Sequence, residues 1–304
     1  MACNGRLKLS DVWLIHKEPR LFATSQWPLH PFIFLAYRIF LALYLLVWLL
    51  LHISRTSPFG GFFVFLTNWT FTVLTIYAVS SCIGAVYFTL RTRNHRDVFD
   101  APDENESQQL LPNNSQTTED EPSSTDESTT DYIGAMPPLQ DPRPAAPSFP
   151  HYFKFSWLLF NICLAVNPIV TVIFWVFLAD PISNPLSSAI NVHLHALNTV
   201  FIYLDLFISA TPVRFIHFVY AILYGLMYTT FTLIYYWAGG LNPISGETGI
   251  YPHILDWANP GFTMLSIFAV IIIVPLTHLA GWGCFRIRGL SYVRFFAAPR
   301  NQLN

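Results

Sequence analysis

Two histidines, two asparagines and an aspartate interrupt the otherwise apolar stretch INVHLHALNTVFIYLDLFIS, residues 190–209. On a helix turning about 100° per residue, Asn191, His195, Asn198, Thr199, Asp205 and Ser209 share one face. His193 falls on the opposite side, so the two histidines cannot chelate one metal ion. A second polar stripe runs through FLTNWTFTVLTIYAVSS, where Thr67, Thr70, Tyr77 and Ser81 share a face. A hydroxyl beside a neutral imidazole is the basic unit of an activated nucleophile. Thr67 as nucleophile and His195 as general base are therefore the candidate catalytic pair, with Asn68 and Asn198 as candidate oxyanion donors or supports. Such chemistry requires no metal and no cofactor. Arg38 and Asp205 are the remaining charges inside apolar segments, and an ion pair between them would neutralise both.

The elements that position these residues are apolar and long. The chain has 304 residues, 53% hydrophobic and 11% charged, with positive mean hydropathy; a soluble domain carries roughly 25% charged residues. Six segments are long enough to span a bilayer, near 32–53, 62–89, 155–179, 188–210, 214–238 and 261–283. Runs such as LALYLLVWLLLH are apolar on every face, which fits helices rather than a barrel. The expected fold is all-α: a polytopic membrane protein with six transmembrane helices. A tail at 1–31 precedes helices 1–2 at 32–89, a linker at 90–154 follows, helices 3–6 occupy 155–283, and a tail at 284–304 ends the chain.

Basic residues orient it. Fourteen lie in the two tails, the linker and the connection around Arg214, against Arg55 alone on the other side. The positive-inside rule puts both termini and the linker in the cytoplasm. On that orientation Thr67 lies roughly 8 Å and His195 roughly 10 Å below the outer surface, at 1.5 Å per residue. The same face carries the outer loop 239–260, whose Tyr251, His253 and Asp256 could cap or complete a site.

Residues 97–150 are acidic, rich in Ser, Thr and Pro, and too poor in apolar side chains to fold. Within them ESQQLL, carrying Glu106, Leu110 and Leu111, has the form of an acidic dileucine sorting signal for adaptor proteins. Four separated cysteines without CxxC spacing point to neither a zinc site nor a disulfide framework, and Cys3 and Cys284 near membrane edges are candidates for palmitoylation. A net charge of −2 gives no sign of nucleic-acid binding. No signal peptide is expected before the first apolar run.

FLTNWTF, NVHLHALNTVFIYLDLFIS, TPVRFIHFVYAILYGLMYTTFTLIYYWAGG and IYPHILDWANPG together resemble the rolling stone family of multi-pass membrane proteins. The likeness spans residues 9–93 and 151–296. More distantly, the chain is similar to the androgen-induced and androgen-dependent membrane threonine hydrolases, which cleave fatty acid esters of hydroxy fatty acids. Thr67 of FLTNWTF matches their nucleophile, and His195, ten residues before Asp205, matches their histidine. Their H-x-x-H stands here as H-x-H.

Two functions follow. The resemblance to the hydrolases implies a lipid ester hydrolase whose substrate enters laterally from the outer leaflet. The rolling stone resemblance implies a non-catalytic plasma-membrane protein acting in cell–cell contact or fusion. Either way the expected partners are membrane lipids, with sorting adaptors on the linker, at the plasma membrane or an endomembrane. For the orientation, epitope tags in the 97–150 linker and at the C-terminus should be reachable only after permeabilisation, and a tag near Ser245 on intact cells. Surface exposure of the linker would overturn it.

Overall fold

The computed structural model describes residues 9–56, 59–99, 149–178, 189–251 and 254–296. The chain divides into two units, residues 1–91 with 149–304, and residues 92–148. Of the second unit, the described part is the end of one long helix, to Phe99. The sorting motif at Glu106, Leu110 and Leu111 lies outside the described residues, as does Cys3.

Helix α1, Pro31–Arg55, starts at a proline whose fixed φ suits the first helical turn, with the His30 side chain accepting from the Phe32 N–H. Phe34, Arg38, Leu41, Leu45 and Leu49 form its buried stripe. Phe40, Leu43, Val47 and Leu50 point away from the protein, as a lipid-facing surface would. Helix α2, Leu66–Phe99, begins four residues later than the apolar segment suggests. The Gly60–Gly61 pair and a single turn at Phe59–Phe62 delay it. Thr67 therefore sits in the first turn of α2 rather than 8 Å along it.

Helix α3, His151–Ile173, is the most enclosed and packs against the three helices that follow it. It ends in a π turn, Phe174–Leu178. Helix α4 covers 189–208 as three continuous pieces: Ala189–Val192, a π turn at His193–Leu197, and Asn198–Ile208. Helix α5, Phe218–Trp237, and helix α6, Pro260–Phe296, complete the bundle. The described residues contain no strand, only two isolated bridges. Among the described residues five helices are long and apolar enough to cross a membrane: α1, α2, α3, α5 and α6. The expected sixth, α4, is not among them.

Two expected tails are built into the fold. Residues 9–27 dock on the corner after α4: Gln26 N–H donates to Ile208 O (2.9 Å), Ala210 N–H to Thr24 O (3.0 Å), and Trp27 Nε1 to Phe207 O (2.7 Å). The Arg214 guanidinium gathers the carbonyls of Asp11, Trp13 and Ile15. At the other end α6 runs on to Phe296 instead of stopping at 283. Its Arg288 is buried, and Tyr292 and Phe296 pack on Trp27.

Helices α3 and α6 approach closely at Gly281, where an added Cβ would lie 2.7 Å from Leu164 Cγ. Small residues permit such contact between membrane helices. Gly281→Val should overpack this crossing at a cost of roughly 1–3 kcal/mol and lower the melting temperature in detergent. Gly289→Ala on the same helix, where a Cβ meets nothing within 4 Å, should leave it unchanged. Equal melting temperatures for all three proteins would contradict the close approach.

Candidate functional site

The charged residues of the interior meet in one node. Asp205 has no accessible surface and Arg38 almost none. Arg38 Nη1 donates to Asp205 Oδ1 at 2.8 Å, and Tyr37 OH to the same oxygen at 3.0 Å. Tyr77 OH donates to Asp205 Oδ2. The Arg38 guanidinium also lies 5.0 Å from the Phe34 ring centroid. Just below, Arg288 Nη1 donates to the carbonyls of Leu206 (2.6 Å) and Ser209 (2.5 Å), and Nη2 to that of Thr211 (3.1 Å). These are carbonyls that the end of a helix leaves without partners. Tyr77, and Ser81 at the edge of bonding distance from Arg38, thus belong to the ion pair. The polar stripe of α2 divides its work between this node and the outer end.

At the start of α2, Thr67 and His195 have different surroundings. The Tyr251 hydroxyl, from the 239–260 loop, accepts from the Leu66 N–H at 2.8 Å and shares a cavity wall with Thr67. His195 is buried, with its ring stacked on Phe174 at 3.4 Å between centroids and 4° between planes. Its Nδ1 finds no hydrogen-bond partner among the described residues. No hydrogen bond joins Thr67 to His195. Phe174, from the π turn after α3, stands at the boundary: it lines a cavity with Thr67 and stacks on His195.

Of the two candidate oxyanion donors, Asn68 is occupied and Asn198 keeps an unpartnered amide N–H. Asn68 is held at both ends of its amide, Nδ2 on Phe62 O (2.7 Å) and Oδ1 on His52 Nε2 (2.9 Å). Asn198 Oδ1 accepts from the Thr199 N–H (2.6 Å) and the Thr171 hydroxyl (3.1 Å), while its Nδ2 is buried without a partner. His193 turns to α1, as the helical face requires. It stacks on Trp48 at 3.5 Å and shares a hydrogen bond with Tyr44 OH at 2.6 Å.

The cavity beside Thr67 holds about 120 Å³ and lies among α2, α3, α5, α6 and the outer loop. Among the described residues its walls are apolar apart from a few hydroxyls, and none of them is charged. Burial raises the pKa of Tyr251 above that of an ordinary phenol, so its hydroxyl stays protonated at neutral pH. Asp256 is spent on structure: it accepts from Ala258 N–H and Asn259 Nδ2 at the turn into α6. His253 lies outside the described residues. No group of three metal-ligating side chains occurs among the described residues.

Sequence reasoning passed over Tyr37, Arg288, Tyr228 and Phe174. Arg288 was counted among the cytoplasmic cations, and its basic character gave no sign of carbonyl capping. Tyr37 adjoins Arg38, so proximity to the expected ion pair was the one signal available. Nothing in an aromatic side chain marked Phe174.

Spanning helices with a buried charged node and lipid-facing outer surfaces define an all-α, multi-pass membrane protein. A sequence profile described as protein rolling stone matches residues 146–298, about half of the chain. The chain belongs to the rolling stone family. Protein rolling stone of Drosophila melanogaster is 24% identical to it over 289 residues, covering 94% of this chain and 89% of the relative. No solved structure matches it.

The node makes a prediction about stability. Asp205→Ala leaves Arg38 buried and uncompensated, which costs about 3–5 kcal/mol, and expression should fall steeply. Adding Arg38→Leu should recover part of that loss. Purely additive damage in the double mutant would show that the two residues do not act as a pair.

Proposed function

We propose that this chain is a non-catalytic membrane protein of the cell surface, acting where cells adhere or fuse. The family carries this reading, and one observation in the site supports it. No hydrogen bond joins Thr67 to His195, whose ring is stacked on Phe174, so nucleophile and base are not joined. On this reading the chain crosses the plasma membrane six times, with both termini and the 97–150 linker in the cytoplasm. The outer loop meets the partner surface, and Glu106, Leu110 and Leu111 recruit sorting adaptors that set how much protein stays at the surface.

A second reading is favoured by the cavity that opens beside Thr67: an integral membrane lipid ester hydrolase. Thr67 Oγ1 would add to the ester carbonyl, giving its proton to His195, and the alcohol would leave with that proton. Water, deprotonated by His195, would then release the acid and restore Thr67. Phe174 and Tyr251 would have to move for the two side chains to meet.

The readings diverge in cells. Two populations carrying complementary halves of a split reporter are mixed, with the protein on one or both. Under the leading proposal the protein raises adhesion or content mixing, and Thr67→Val and His195→Ala, checked for surface expression, raise it as much as wild type. Loss of the effect in both variants, with wild-type membranes hydrolysing a neutral lipid ester, would replace the leading proposal with the second.

A further inference from the structure

The cavity beside Thr67 has an ordered distribution of polarity. Its hydroxyl end is formed by Thr67, Tyr228 and Tyr251, at the start of α2 and beneath the outer loop. Tyr228 OH donates to Val64 O (2.8 Å), which fixes that ring beside the Tyr251 hydroxyl. The rest of the lining is aliphatic, from Val170 and Ile173 on α3 to Ile222 on α5 and Val270 on α6. On α3 and the π turn after it, the lining runs from Val170 to Leu178, roughly 12 Å along a helix axis. The chamber is therefore elongated, apolar and closed by neutral hydroxyls at one end.

It also has a side opening. Gly225 and Thr229 on α5, one turn apart, line the cavity opposite Ser266 on α6. A Cβ built on Gly225 would meet nothing within 4 Å. At this gap Leu226 on α5 and Ile271 on α6 line the cavity and are themselves exposed and apolar. The gap thus faces the surface that lipid would cover.

We propose that this chamber binds one uncharged, single-chain lipid, whose hydrocarbon tail enters between α5 and α6 and whose hydroxyl or carbonyl head meets Thr67, Tyr228 and Tyr251. No described lining residue is charged, which selects the head: an ionised carboxylate or phosphate would be desolvated there without compensation from them. A volume near 120 Å³ admits the head and only the first few carbons of one tail, the rest lying in the gap between α5 and α6. Small ligand sites of this kind are largely apolar, with a few polar groups that fix orientation. The inference depends on neither reading of the function, because binding requires no covalent step.

The test is photolabelling of the purified full chain in nanodiscs with a monoacylglycerol carrying a diazirine on its chain. Labelling should be saturable and map to peptides of α3, α5 and α6. Gly225→Leu, which fills open space without displacing a neighbour, and Ser266→Leu, which narrows the gap from its other wall, should each reduce it about ten-fold, near 1.4 kcal/mol of binding. Both variants should elute from size exclusion as wild type does. Unchanged labelling in both variants, or equal labelling of the same peptides by a fatty acid of the same chain with its ionised carboxylate, would overturn the proposal.

Discussion

A carboxylate without accessible surface must be neutralised where it stands, and the arrangement of the helices around α4 follows from how Asp205 is neutralised. One oxygen takes Arg38 and Tyr37 from α1, and the other takes Tyr77 from α2. Within four residues α4 ends, and its last carbonyls are collected by Arg288 from α6. A short stretch of α4 therefore fixes the height and rotation of three other helices. Buried ion pairs contribute little net stability against an apolar substitute, because desolvation offsets their attraction. What this one supplies is position: sliding α1 by a turn would strand both charges.

Above the node the protein is built differently. Two π turns, Phe174–Leu178 and His193–Leu197, bring Phe174 and His195 face to face. A π turn holds one residue more than the regular helix and often marks a functional site. Here it turns His195 onto an aromatic ring. On the far side of that ring lies the apolar chamber, with Thr67 and Tyr251 at its polar end. The rigid charged half sits below and the adaptable apolar half above.

Much of this was legible in the sequence, for physical reasons. Apolar length gave the all-α membrane fold, and the cost of an unpaired charge inside an apolar segment gave Arg38 opposite Asp205. The angle between residues i and i+2 separated His193 from His195. What stayed hidden involved backbone irregularity. Counting 100° per residue presumes a regular helix, and α4 is not regular across 193–197. The start of α2 depended on a glycine-broken turn that hydropathy does not resolve, so the apparent match in depth between Thr67 and His195 rested on a helix start that lies four residues further on. Tyr251 is far from Thr67 in sequence, and only the fold of the outer loop brings its hydroxyl there.

The central claim is that Thr67 has no base at hand: no hydrogen bond joins it to His195, whose ring is stacked on Phe174. A fluorophosphonate probe, which reacts with activated serine and threonine hydroxyls, tests it most directly when applied to the purified wild-type chain in nanodiscs with labelled peptides mapped by mass spectrometry. The account predicts no labelling of Thr67 above the level of other buried threonines. Strong labelling of Thr67 that His195→Ala abolishes would contradict it and establish the pair as a working nucleophile and base.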